Sequence, residues 1–138
     1  KVDKEFKIGI IPHYVDKQHP WVQKFQNDPK VNIIDILANN HNDFVDELNK
    51  CEIILSSSLH GIICGDSYGI PSYWLELSNK VIGKGFKFRD YFASVGRENI
   101  KPLKLKKRDL IPDISSQFDS YKIDIDTNSL YESCPFKK

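Results

Sequence analysis

Short, continuous apolar runs that alternate with helical stretches narrow the fold more than any other feature. Phe6-Lys7-Ile8-Gly9-Ile10-Ile11 opens the series and Pro12 stops it, because proline has no N–H for a strand ladder. Val31-Asn32-Ile33-Ile34-Asp35-Ile36, Glu52-Ile53-Ile54-Leu55 and Ile70-Pro71-Ser72-Tyr73-Trp74-Leu75-Glu76-Leu77 follow as three more strands. Between them lie helix signals. Pro20 suits the first turn of a short helix over residues 20–26. Asn40 or Asn42 can cap a helix reaching residue 50, with Phe44, Val45 and Leu48 facing inward. Residues 59–68 read as a helix closed by Gly69. The apolar runs are unbroken, as expected of strands covered on both faces. This order predicts βαβ units: the fold class is α/β, a parallel sheet with helices on both faces.

The remainder carries a weaker signal. Residues 79–85 form a loop with two glycines, residues 86–95 look helical, and Gly96 stops them. Arg97, Lys101, Lys104, Lys106, Lys107 and Arg108 make a basic stretch, expected to face solvent or anionic lipid. Asp109, Asp113, Asp119, Asp124, Asp126 and Glu132 make an acidic tail, where Leu130, Tyr131 and Phe136 could pin a terminal helix. A length of 138 residues suits one domain, or half of a two-domain enzyme. With 40% hydrophobic and 28% charged residues the chain is expected to be globular. A net charge of +1 argues against a nucleic-acid binder, and no apolar run reaches the ~18 residues of a membrane helix.

The opening residues 1–7 have no apolar core behind their charges and do not read as a secretion signal. The chain contains no Met, as expected of a segment of a longer protein or a processed chain. Cys51, Cys64 and Cys134 fit no CxxC spacing, so they read as reduced thiols in a cytoplasmic protein, Cys51 and Cys64 as small buried hydrophobes. Zinc held by His60 and Cys64 lacks a second ligand pair.

In an open parallel sheet, ligands bind at the carboxyl ends of the strands. That rule selects the loop from His13 and Tyr14, the turn Ser56-Ser57-Ser58-Leu59-His60-Gly61, and the segment after Leu77. In the central turn, three hydroxyls and the first N–H groups of a helix converge, which favours phosphate or carboxylate. His60 sets an imidazole beside such an anion, able to donate or accept a proton near neutrality. Gly61 would let a ligand approach the backbone. Two readings remain open here: an anion site, or a capped helix with His60 as an interior residue. Lys84, Lys87 and Arg89 could supply positive charge to a phosphorylated ligand or simply be solvated. A serine nucleophile lacks its Gly-x-Ser-x-Gly elbow, and Gly83-Lys84-Gly85 is too short for a phosphate loop. Asp124-Ile125-Asp126 has a metal-binding form but lies in the weak tail, and Trp21 and Trp74 read as core.

Taken together, Ile8-Gly9-Ile10-Ile11-Pro12-His13-Tyr14-Val15-Asp16-Lys17, Ser56-Ser57-Ser58-Leu59-His60-Gly61-Ile62-Ile63 with Asp66-Ser67-Tyr68-Gly69-Ile70-Pro71, and Gly85-Phe86-Lys87-Phe88-Arg89-Asp90-Tyr91 resemble the polysaccharide pyruvyl transferases. The closing Leu130-Tyr131-Glu132-Ser133-Cys134-Pro135-Phe136 is similar too. The resemblance implies a two-domain, GT-B-like architecture, of which residues 1–138 would form the C-terminal, Rossmann-like domain without its N-terminal partner. It implies transfer of the pyruvyl or enolpyruvyl unit of phosphoenolpyruvate to a sugar hydroxyl of a polysaccharide or lipid-linked glycan precursor, forming a pyruvate ketal. His60 would be the acid/base residue, and Ser56, Ser57, Ser58, Leu59, Gly61, His13, Tyr14, Lys84 and Lys87 would bind substrate. Many members carry a basic residue where this chain has Ser58. No metal or cofactor is demanded, phosphoenolpyruvate being the donor substrate. The implied setting is cytoplasmic, with peripheral contact at the inner membrane face. The alternative is a glycosyltransferase of the same fold, using Glu76 for the ribose of a nucleotide sugar.

Overall fold

All four expected strands form, and a fifth joins them in one parallel sheet ordered β2-β1-β3-β4-β5. The computed structural model describes residues 3–38, 40–114 and 121–136; Asp119 of the acidic tail and the first two residues lie outside these. The strands are β1 (Phe6–Ile11), β2 (Val31–Ile33), β3 (Cys51–Ser56), β4 (Ser72–Glu76) and β5 (Leu103–Lys104). The helices are α1 (Pro20–Gln23), α2 (His41–Asn49), α3 (Leu59–Ser67), α4 (Phe86–Ser94) and α5 (Thr127–Glu132). The chain adds β2 on one side of β1, then crosses to add β3, β4 and β5 on the other. The sheet is therefore the expected α/β, Rossmann-like one, and its growth reverses between β1 and β3. At such a point the outgoing loops diverge and leave a crevice.

Both faces of the sheet are apolar. Along β3, Ile53 and Leu55 join a cluster with Ile10, Trp21 and Val22, whereas Ile54 between them joins one with Ile11, Ile34 and Leu48. Period-two alternation thus separates two apolar sets, which explains the unbroken runs. A third cluster joins α3 and α4 through Ile62, Trp74, Phe88 and Phe92. Its centre is a Trp74–Phe88 stack with ring centroids 4.7 Å apart. Trp21 and Trp74 are both buried, as expected of core residues.

Helix α3 rests directly on the sheet because two of its residues lack side chains. A Cβ on Gly61 would lie 2.4 Å from the Ser56 hydroxyl, and one on Gly65 would lie 1.9 Å from that of Ser72. The four-residue spacing puts both glycines on one helix face.

The structure corrects three expectations about the second half. Leu103–Lys104 is too short to show as an apolar run, yet it completes the sheet beside β4. Leu130, Tyr131 and Phe136 do not pin α5; they are exposed, and Asp126 holds the helix start by accepting from the N–H groups of Asn128 and Ser129. Arg97 does not belong to the basic surface. It is buried, and its guanidinium lies 4.1 Å from the Tyr121 ring centroid and 4.8 Å from that of Phe92. It donates to the Tyr121 hydroxyl and the Ser72 carbonyl, and it pairs with Asp66 at 3.6 Å. Tyr91 and Tyr121 also donate to Asp66. Burial raises the Asp66 carboxyl above its ordinary range, opposed by those hydroxyls and by Arg97. Lys101, Lys104, Lys106, Lys107 and Arg108 do remain exposed. No helix among the described residues is long and apolar enough to cross a membrane.

Removing one partner of a buried ion pair leaves the other uncompensated, at about 3–5 kcal/mol. Arg97→Ala is expected at the low end, near ~3 kcal/mol, because two tyrosine hydroxyls still hold Asp66. Urea denaturation will show this as a lower midpoint with an unchanged slope; an unchanged midpoint would contradict it.

Candidate functional site

Ile11 and Ser56 are paired across β1 and β3, so the segments leaving both strands start side by side. Serine hydroxyls tie the two together. Ser56 Oγ lies 2.8 Å from the carbonyls of both Ile11 and Ser58, its one proton shared between them, and it accepts from the Ser58 N–H. The Ser57 N–H donates to the Ile11 carbonyl, and the His13 N–H donates to Ser57 Oγ at 2.9 Å. The three serines are almost fully buried, so the turn is held rigidly while α3 starts outward from it.

Ser58 is the N-cap of α3 with extended backbone, but its side chain makes no capping bond. The first N–H groups of α3 therefore lack a side-chain acceptor and suit an anion. His60 stands exposed in this first turn, so the interior-residue alternative does not hold. His13, half-buried, accepts from the Val15 N–H through Nδ1 at 3.4 Å. That bond leaves Nε2 as the protonated nitrogen of the neutral ring. Partial burial first, then the charges of Lys87 and His60, hold His13 below its ordinary 6.5, with Asp16 acting oppositely. His13 thus stands within electrostatic reach of Lys87, Asp16 and His60. Tyr14 is 58% exposed and lies against His13, ring centroids 4.4 Å apart.

A cavity of about 610 Å³ opens at the ends of β3 and β4. Ser57, Lys84 and Arg89 line it, together with Glu76, which pairs with Lys104 at 2.9 Å. Arg89 donates to the Lys84 carbonyl, fixing the turn in which Lys84 and Gly85 take positive φ. A side chain at Gly85 would strike Trp74 at 2.4 Å.

Two predicted residues are placed differently from expectation. Ser56 spends its hydroxyl inside the turn, and the bare face of Gly61 meets Ser56 and Ile11 rather than a ligand. Both support the site from behind. Leu59 packs against the Ile62–Trp74 cluster. Sequence reasoning did not single out Asp16 or Ser78. Asp16 is 1% exposed, lines the cavity and accepts from Ser78 Oγ at 2.5 Å. The available signal was its position in the loop leaving β1.

The other candidates stand apart. Asp126 spends its carboxylate on the α5 cap, and no group of three or more His, Cys, Asp or Glu among the described residues is arranged for a metal. The cysteines are free: Cys51 is buried with its thiol pushed up to about 11, Cys64 is half-buried and Cys134 exposed.

The model of a family described as polysaccharide pyruvyl transferase matches residues 1–79, which hold β1 to β4 and the whole serine turn. An uncharacterized protein of Acanthamoeba polyphaga mimivirus is 37% identical over 105 residues, covering 70% of this chain. The chain spans 37% of that relative's length. No solved structure matches.

His13 should titrate below 6.5 in a proton NMR titration of the imidazoles. Lys87→Gln removes a positive charge that disfavours its protonation, so the midpoint should rise. A midpoint unmoved by that change would place Lys87 away from His13.

Proposed function

The chain belongs to the polysaccharide pyruvyl transferase family, and on that premise we propose that it supplies the donor-binding and proton-transfer end of a pyruvyl transfer from phosphoenolpyruvate to a sugar hydroxyl. The carrying observation is the uncapped start of α3 with exposed His60 in its first turn, beside which the charge of Lys87 acts on His13. Phosphoenolpyruvate brings a phosphate and a carboxylate, and both need donors and positive charge. The helix N–H groups, Lys87 and the Nε2–H of neutral His13 offer these. Ser58, where many relatives carry a basic residue, contributes no charge, and in this reading Lys87 takes over that part.

His60, exposed beside this anion, serves as the acid/base group. Protonation of the methylene carbon turns the enol into an oxocarbenium-like centre. A sugar hydroxyl adds there and gives up its proton, which returns the imidazole to its starting form. Loss of phosphate and closure by a second hydroxyl complete a ketal. A positioned imidazole contributes roughly 10²–10⁴-fold to such proton transfers. Phosphoenolpyruvate is a cytosolic metabolite, so the proposed setting is the cytoplasm, on a glycan precursor at the inner membrane face. The exposed lysines of residues 101–107 would meet that surface. The nucleotide-sugar alternative gains less support, because Glu76 is already paired with Lys104.

Calorimetric titration of this chain with phosphoenolpyruvate tests the reading. Losing a hydrogen bond to a charged group costs about 1.5–3 kcal/mol, so His60→Ala should weaken binding roughly tenfold to a hundredfold. A nucleotide sugar that binds while phosphoenolpyruvate does not would reject it.

A further inference from the structure

Asp16 is a buried charged group of the cavity that the donor reading does not use. It closes the short 3-10 turn Tyr14–Asp16, and its backbone is fixed on both sides: its N–H donates to the His13 carbonyl, and its carbonyl accepts from the His19 N–H. Its carboxylate is therefore carried to the cavity wall by a rigid turn. Oδ1 accepts from Ser78, whereas Oδ2 is buried and has no hydrogen-bond partner. Asp16 forms no ion pair among the described residues. Buried carboxylate oxygens are almost always satisfied, so an unpaired one on a residue that lines a cavity points to a donor from outside the chain.

The missing donor must bear hydrogen on a polar atom. Phosphoenolpyruvate does not qualify: near neutrality its phosphate and carboxylate are anionic acceptors, repelled by Asp16. A sugar hydroxyl qualifies. The rest of the wall agrees. Val81 and Ile100, both half-buried, give the wall its apolar part. Ser57 lines the cavity while its Oγ accepts from the His13 N–H, which leaves its own proton for a ligand oxygen and links the cavity to the anion-binding spot. A volume of about 610 Å³ accommodates a pyranose ring.

We propose that Asp16, held by Ser78, is a binding residue for a hydroxyl of the saccharide acceptor, so that an acceptor subsite lies in this chain beside the donor end. The identification of the saccharide as acceptor rests on the pyruvyl-transfer reading; the hydroxyl-binding role of Asp16 does not.

Saturation-transfer NMR with the methyl pyranosides of glucose, galactose and mannose tests the inference on wild type, Asp16→Asn and Ser78→Ala, each first checked for unchanged melting. At least one pyranoside should bind. Asp16→Asn should weaken it about tenfold or more, since sites built to accept a hydroxyl discriminate strongly. Ser78→Ala, which frees Oδ1 but keeps the charge, should weaken it less, and this variant decides the matter if Asp16→Asn does not fold. Binding of no pyranoside would leave Oδ2 to a buried water and overturn the proposal, as would affinity unchanged in both variants. Phosphoenolpyruvate titrated into the same samples keeps the two readings separate. Saccharide binding without phosphoenolpyruvate binding would sink the donor reading alone, and the reverse would sink this one alone.

Discussion

Helix α3 can lie on the sheet only because Gly61 and Gly65 place nothing between its backbone and the serines of β3 and β4. Everything at the candidate site follows from that closeness. It brings the start of α3 directly against the end of β1, where Ser56 satisfies the Ile11 carbonyl and the Ser58 N–H with one hydroxyl. With the turn satisfied from within, the Ser58 side chain is not needed as a cap, and the first N–H groups of the helix stay available. A larger residue at either glycine would lift the helix, and the uncapped start of α3 would lose its geometry without any change at that end itself.

The cavity is mixed in charge. Lys84, Arg89, Lys101 and Lys104 stand on its wall with Asp16 and Glu76, and Glu76 is paired with Lys104. Partial burial and the charge of Lys87 both disfavour a protonated His13 ring. Ser57 connects the two neighbourhoods, lining the cavity while its Oγ accepts from the His13 N–H.

The first half of the chain was readable because burial on both faces writes itself as unbroken apolar runs, and because proline, asparagine and glycine mark the boundaries. Tertiary choices were less legible. Nothing local distinguishes Arg97 from the exposed cations after it; only the Phe92 and Tyr121 rings and the Asp66 carboxylate, brought by other elements, take it into the interior. The strand Leu103–Lys104 is too short for any periodicity. Ser56 and Gly61 belong to the right turn, but which way a side chain faces depends on how closely α3 approaches the sheet. Asp16 looked like one polar residue in a polar loop, and only its burial sets it apart.

The Arg97 sandwich has a consequence for where this folding unit ends. Tyr121 lies beyond the last sheet strand, yet it covers one side of the guanidinium, donates to Asp66 and sets its ring 5.7 Å from that of Tyr73. A shortened version stopping after β5 would keep all five strands but strip this lid from a buried charge at the C-terminal end of α3. The smallest autonomous piece must therefore reach past Tyr121, well beyond the segment 1–79 that defines its kinship.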